Sequence, residues 1–159
     1  MISLLPLIQY LEPKPADFPH LWFRKVDGAA EFAQIRPDAL PLPMAWVVRA
    51  AEREDDVGER ASDLGLVFDV VIAIENVRSH YPGEMDEILL QYRQAVRKRL
   101  QGWRIEADVK PIKFKGGQVL EYTDGDLYWR DRYSFDALIT NYLPDPVSFE
   151  QVVHTGASL

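Results

Sequence analysis

Residues 64–77, LGLVFDVVIAIENV, carry the strongest strand pattern in the 159-residue chain. Large apolar side chains recur at every second position, the period at which a strand presents one face. That face holds Leu66, Phe68, Val70, Ile72 and Ile74. Each contributes roughly 1.5–3 kcal/mol on burial, so we expect this strand at the centre of the core.

A long amphipathic helix is predicted over residues 83–101, where apolar residues recur at spacings of three and four. The stripe comprises Met85, Ile88, Leu89, Tyr92, Ala95, Val96, Leu100 and Trp103. Acidic residues occupy the first turn and basic residues the last, which complements the helix dipole at both ends. Gly102 follows as the left-handed residue that ends the helix.

The remaining N-terminal elements are shorter. Short helices are predicted near residues 2–11 and 29–35, and strands over residues 20–26 and 44–49. Pro37, Pro41 and Pro43 hold an extended connection before the second of these strands.

The C-terminal half is predicted to be mostly sheet. Residues 109–115 and 118–122 form a hairpin around the tight turn Gly116-Gly117, and Asp124-Gly125 turns into a long strand over residues 127–142. The fold class is therefore α+β: a mostly antiparallel β-sheet with one long amphipathic helix packed on one face, plus short N-terminal helices. We expect a single domain over residues 1–143 and a C-terminal tail of unknown role over residues 144–159.

A strongly charged segment lies between two predicted strands. Residues 52–63, EREDDVGERASD, cannot bury an apolar face, so they are predicted to form a solvated, mobile loop. Such a loop can become ordered in an assembly, and its charged residues are the candidate assembly interface: Glu52, Arg53, Glu54, Asp55, Asp56, Glu59 and Arg60.

One carboxylate interrupts the apolar face of the last predicted strand. Asp131 falls between Trp129 and Tyr133 on that face. Because an unpaired buried carboxylate is costly, Asp131 must be paired, lie at a sheet edge or be displaced by a β-bulge, and we favour the bulge or edge position. The second interpretation is a salt bridge to a neighbouring subunit, which adds Asp131 to the candidate assembly interface.

Charge and composition limit the classes of function. The net charge of −7 argues against ordinary nucleic-acid binding, which needs a basic face. The absence of cysteine excludes disulfides and thiolate metal sites. No secretory signal is recognised, and no apolar run approaches the ~20 residues of a membrane span, so we expect a soluble cytoplasmic protein.

Catalytic patterns are weak. His20, His80 and His154 lie in separate segments without metal-ligand spacing. Asp108 and Lys110, with Asp38 upstream, leave a metal-dependent nuclease as one alternative, although this three-residue match is short. We expect no enzyme activity, no catalytic residue, no cofactor and no metal.

An ordered set of segments resembles the tail terminator proteins of long-tailed phages and prophages, the lambda-type terminator among them. The segments are LPLPMAWVV (40–48), LQGW (100–103), FKGGQVL (114–120) and LYWRDRYSF (127–135). The resemblance implies a ring, typically of six subunits, that caps the tail tube, stops its polymerisation and provides the surface that joins the tail to the head. It implies no catalytic residues and no cofactor.

The expected partners follow from that resemblance: other copies of the chain, the tail tube protein and head–tail connector proteins. Six copies of a −7 subunit carry roughly −42, and acidic walls let DNA pass through a lumen without specific binding. The protein is expected in the host cytoplasm during assembly and then at the head-proximal end of the virion tail. A head–tail connector or neck protein, and an acidic DNA-mimic inhibitor of a host enzyme, remain as alternatives.

Overall fold

The computed structural model describes residues 2–29, 42–75, 83–122 and 125–140. Within these ranges the chain forms two helices and five strands. In chain order they are α1 (Leu5–Leu11), β1 (Val26–Asp27), β2 (Met44–Gly58), β3 (Ala61–Glu75), α2 (Glu84–Leu100), β4 (Lys113–Tyr122) and β5 (Asp126–Thr140).

The strands form one sheet in the order β1-β2-β3-β5-β4. The pairs β2–β3, β3–β5 and β4–β5 are antiparallel, and the short pair β1–β2 is parallel. The predicted α+β class and mostly antiparallel sheet are therefore confirmed. β3 lies in the middle of the sheet, as the alternating pattern of residues 64–77 predicts.

The main core lies on one face of the sheet. The five predicted apolar residues of β3, from Leu66 to Ile74, are at most 3% exposed. They share one buried cluster with Leu89, Tyr92, Val96 and Leu100 of α2 and with Leu7 and Leu11 of α1. Burial of this shared apolar surface holds both helices against the same face.

The long helix begins and ends within one residue of its predicted bounds. Gly83 and Gly102 flank it, both with φ of 86°, a conformation that glycine adopts without a steric penalty. The finer expectation of one long helix with several short N-terminal helices fits less well. The described helices have 7 and 17 residues, and the helix predicted over residues 29–35 lies almost wholly outside the described residues.

The other face of the sheet, here called the outer face, carries a smaller apolar cluster. Its buried members are Met44, Trp46, Val71, Ala73 and Tyr128. This cluster covers one end of the outer face, and the other end carries charged side chains.

The strand predicted over residues 20–26 is wrong for most of its length, because only Val26 and Asp27 join the sheet. A strand would send Trp22 and Phe23 to opposite faces, yet both are buried in the same cluster. The Trp22 indole donates a hydrogen bond of 2.9 Å to the carbonyl of Leu11. Aromatic packing against α1 and α2 therefore determines the path of this segment.

The hairpin predicted at Gly116-Gly117 is also wrong. Both glycines lie inside β4, opposite Arg132 and Asp131 of β5, next to a register shift between Phe114 and Gly116. The strand predicted over residues 109–115 accordingly begins later, and Val109 makes only an isolated bridge to Ala137. The pair of glycines marks a β-bulge and a close approach of side chains rather than a chain reversal.

Candidate functional site

The charged segment of residues 52–63, here called the hairpin end, is paired strand and not a loop. β2 continues to Gly58, β3 begins at Ala61, and only two residues form the turn between them. β3 is in turn paired with β5 as far as Ala61 opposite Thr140. The prediction of a mobile loop is wrong because backbone hydrogen bonds on both sides of β3 order this segment without burying an apolar face.

The hairpin end presents its charges to solvent. Every residue from 51 to 60 is exposed, including Val57 at 56%. The first β3 residue of the main core is Leu64, at 3% exposure. The hairpin end is thus a three-stranded continuation of the sheet whose tip lies beyond the core.

Some charges of the hairpin end are paired locally. Arg53 Nε lies 3.2 Å from Asp55 Oδ2, and the Ser62 hydroxyl donates a hydrogen bond of 2.7 Å to Glu54 Oε1. Arg49 pairs with Glu52 and also donates a 2.6 Å hydrogen bond to the carbonyl of Ile2. These contacts tie the base of the hairpin end to the rest of the subunit.

Other charges of the hairpin end lack such compensation. Within the described ranges no ion pair involves Asp56, Glu59 or Asp63. The register also places Asp55 directly opposite Asp63, and like charges in that position repel each other. The candidate interface residues Glu52, Arg53, Glu54, Asp55, Asp56, Glu59 and Arg60 therefore lie together on one exposed, mainly acidic strand pair, with side chains on both of its faces.

Asp131 lies inside the subunit, at 1% exposure, on the core face of β5. Arg93 of α2 donates to both of its carboxylate oxygens over 2.9–3.1 Å, and the Trp129 indole donates to Oδ1 over 2.8 Å. β5 lies between β3 and β4, and its register with β3 is unbroken at Asp131. The expectation that Asp131 lies at a bulge or an edge of β5 is therefore wrong. The register shift lies in the neighbouring strand β4, between Phe114 and Gly116.

Two further residues complete this arrangement: Arg93, for which the sequence predicted no role, and Gly117, which it predicted in a turn. Arg93 follows Leu89 by four residues and precedes Val96 by three, so its place on the apolar stripe was the available signal. Gly117 leaves room for the carboxylate: a Cβ atom there would lie 2.1 Å from Asp131 Oδ1 and 2.7 Å from Trp129 Nε1.

The outer face carries a second ion pair on the same strand. Asp69 of β3, at 6% exposure, accepts hydrogen bonds of 2.9 and 3.1 Å from Arg132. These bonds and the carboxylate charge raise the pKa of Arg132 above its usual range. Arg130 lies further away, with its Nε 3.8 Å from Asp69. β5 thus takes part in two ion pairs: a buried one on the core face through Asp131, and a partly exposed one on the outer face through Arg132.

The nuclease alternative gains no support from the part of the chain that is described. Asp108 and Lys110 lie there, Asp38 does not, and no group of three or more His, Cys, Asp or Glu residues in this part could hold a metal ion. The acidic hairpin end likewise provides no such group. No described helix is long and apolar enough to cross a membrane.

Comparison with known proteins identifies a family. Residues 14–142 match the family described as phage tail terminator protein. A search of curated proteins finds no match. The matched range contains the whole described sheet, α2 and the hairpin end. The family is structural rather than catalytic, and it implies a place in the virion tail and contacts with tail and head components. The chain therefore belongs to the phage tail terminator family.

Proposed function

We propose that the protein is a ring-forming tail terminator, which caps the tail tube, stops its polymerisation and provides the surface that joins the tail to the head. The observation that carries this proposal is the family match over residues 14–142. The hairpin end supports it, because it offers an exposed, charged surface that is already ordered by strand pairing in the single subunit. Preorganised surfaces bind with a smaller loss of conformational entropy.

The proposed assembly interface is the hairpin end, with contacts to a neighbouring subunit or to the tail tube. The interface consists of the charged residues between Glu52 and Arg60. Asp131 is buried and pairs with Arg93 inside the subunit, so its proposed role is to hold β5 against α2.

The proposed partners are further copies of the chain in a six-membered ring, the tail tube protein and head–tail connector proteins. DNA passes through the lumen without specific binding, which the net charge of −7 per subunit favours. Assembly takes place in the host cytoplasm, and the finished ring lies at the head-proximal end of the tail.

A tube elongation assay tests this function. Purified tail tube protein polymerises with and without the chain, and tube lengths are measured in negative-stain images. We expect shorter tubes with a cap at one end. Unchanged length and bare ends would contradict the proposal, and binding to a head connector without any effect on elongation would favour a neck protein instead.

A further inference from the structure

We infer that a basic groove on the outer face binds the acidic hairpin end of a neighbouring copy of this chain. The inference rests on the proposed ring and names the two surfaces that meet in it. Its first element is the groove, a cavity of about 500 Å³ that crosses β2, β3, β5 and β4.

The groove is open because small side chains form its floor. Gly65 and Val67 lie at the centre, with Ala51 of β2 on one side and Ser134 of β5 on the other. A Cβ atom on Gly65 would lie 3.4 Å from the Asp136 carboxylate, so a larger residue would begin to fill the space.

The walls of the groove are positively charged in a chain whose net charge is −7. Four cationic residues line it with the carboxylate of Asp136; of these, Arg53 pairs with Asp55 and Arg132 with Asp69, which leaves Lys113 and Lys115 as the uncompensated cations of the wall among the described residues. Lys113 and Lys115 are exposed, and no ion pair within the described ranges involves them. Asp69 compensates the charge of the Arg132 guanidinium, so the net positive charge of the wall comes from Lys113 and Lys115.

The hairpin end carries the opposite charge, because its uncompensated residues are acidic. Asp56, Glu59 and Asp63 lack ion-pair partners in the described part of the chain, and Asp55 faces Asp63 across the strand pair. Lysines of a neighbouring subunit would offset this repulsion. Complementary potentials of this kind select the partner and orient its approach.

The hairpin end cannot reach the groove of its own subunit. β2 and β3 are fixed in the sheet, and their residues Arg53 and Gly65 are themselves part of the groove wall and floor. Occupation of the groove therefore requires another copy. Since the two surfaces differ, the contact is head-to-tail, the type of contact that generates closed rings when the rotation between subunits closes.

Paired charge reversals test the inference. The groove variant carries Lys113→Glu and Lys115→Glu, and the hairpin variant carries Asp56→Lys and Glu59→Lys; all four positions are exposed. Each variant alone opposes like charges at every contact, so we expect neither to form the ring. In an equal mixture every contact joins opposite charges, so we expect rings in which the two variants alternate.

The matched control is Lys98→Glu with Lys110→Glu, which changes the net charge equally at exposed positions outside the groove. It should form rings as the wild type does. Native mass and negative-stain images report assembly, and thermal unfolding reports the fold. If a reversed variant does not fold, the neutral pairs Lys113→Gln with Lys115→Gln and Asp56→Asn with Glu59→Gln replace it, and rings should then need a higher protein concentration.

The outcomes separate the two proposals. Rings formed by either reversed variant alone, or a mixture of folded variants that forms none, would overturn the groove inference while the wild-type ring stands. A groove variant that still forms rings but loses salt-sensitive retention of DNA would overturn it in favour of phosphate binding. A wild type that forms no ring, alone or on tail tubes, would refute the proposed function and the inference with it.

Discussion

At the scale of single residues, the two partners of the ion pair between Arg93 and Asp131 differ in burial. Asp131 is 1% exposed, whereas the Arg93 side chain is 24% exposed and reaches solvent. Arg93 also lies over the Trp129 ring, with 4.3 Å from its guanidinium carbon to the ring centroid. Removing the cation therefore leaves a buried charge, and removing the anion leaves a charge that water can solvate.

This asymmetry predicts unequal effects on stability. We expect Arg93→Met to lower the free energy of unfolding by about 3–5 kcal/mol, and Asp131→Asn to lower it by less. Urea denaturation of both variants measures the difference. Equal losses, or a loss below about 1 kcal/mol for Arg93→Met, would contradict the burial assigned to this pair.

Gly117 is predicted to be a packing position. A methyl group there would overlap the Asp131 carboxylate and lie 3.0 Å from the Arg130 carbonyl, so Gly117→Ala should cost about 1–3 kcal/mol. Gly58→Ala is the matched control, because no atom outside its chain neighbours lies within 4 Å of a Cβ atom placed there. Thermal unfolding compares the two, and similar melting temperatures would refute the close approach.

Ionisation of the buried Tyr92 hydroxyl is predicted to lower the stability of the protein in alkali. Burial raises the pKa of Tyr92 to about 12, and its hydroxyl donates a hydrogen bond to the Leu21 carbonyl. The unfolded chain releases this proton near pH 10, so the contribution of neutral Tyr92 is complete below about pH 10 and is lost as the pH rises towards 12. Tyr92→Phe should be less stable at neutral pH, and the difference should shrink in that window. A constant difference across the window would contradict this account.

At the scale of elements, the spacing of apolar residues predicted those helices and strands that bury one face in the core. β3 and α2 were predicted nearly to their ends because each has one face in the main core. The hairpin end was missed because its strands are held by backbone pairing, which leaves no pattern in the side chains. Gly116-Gly117 was misinterpreted as a turn because adjacent glycines are typical both of tight turns and of places where a side chain approaches the backbone closely. The position of Asp131, opposite Gly117 in the sheet, distinguishes the two cases.

The hairpin end is expected to be dispensable for folding but required for assembly. Replacing residues 56–62 by Asn-Gly would join Asp55 to Asp63 through a two-residue turn and leave Leu64 and the rest of the core in place. We expect a folded subunit that forms no ring. If this variant still formed rings and terminated tails at normal length, the hairpin end would not be the assembly surface.

At the scale of the whole molecule, charge is distributed unevenly. The chain has 25 acidic and 18 basic residues, yet the groove on the outer face is basic and the hairpin end is acidic. This polarity could not be predicted from the sequence, because it depends on which residues of four strands share a face. It also weakens the DNA-mimic alternative, which needs acidic charge over most of the surface.

The native mass of the purified protein, measured together with negative-stain images of the same sample, tests whether the subunits form a ring. We predict six-membered rings with a central hole, formed by the protein alone or when tail tube protein is added. A protein that stays monomeric in both conditions would contradict the proposed ring.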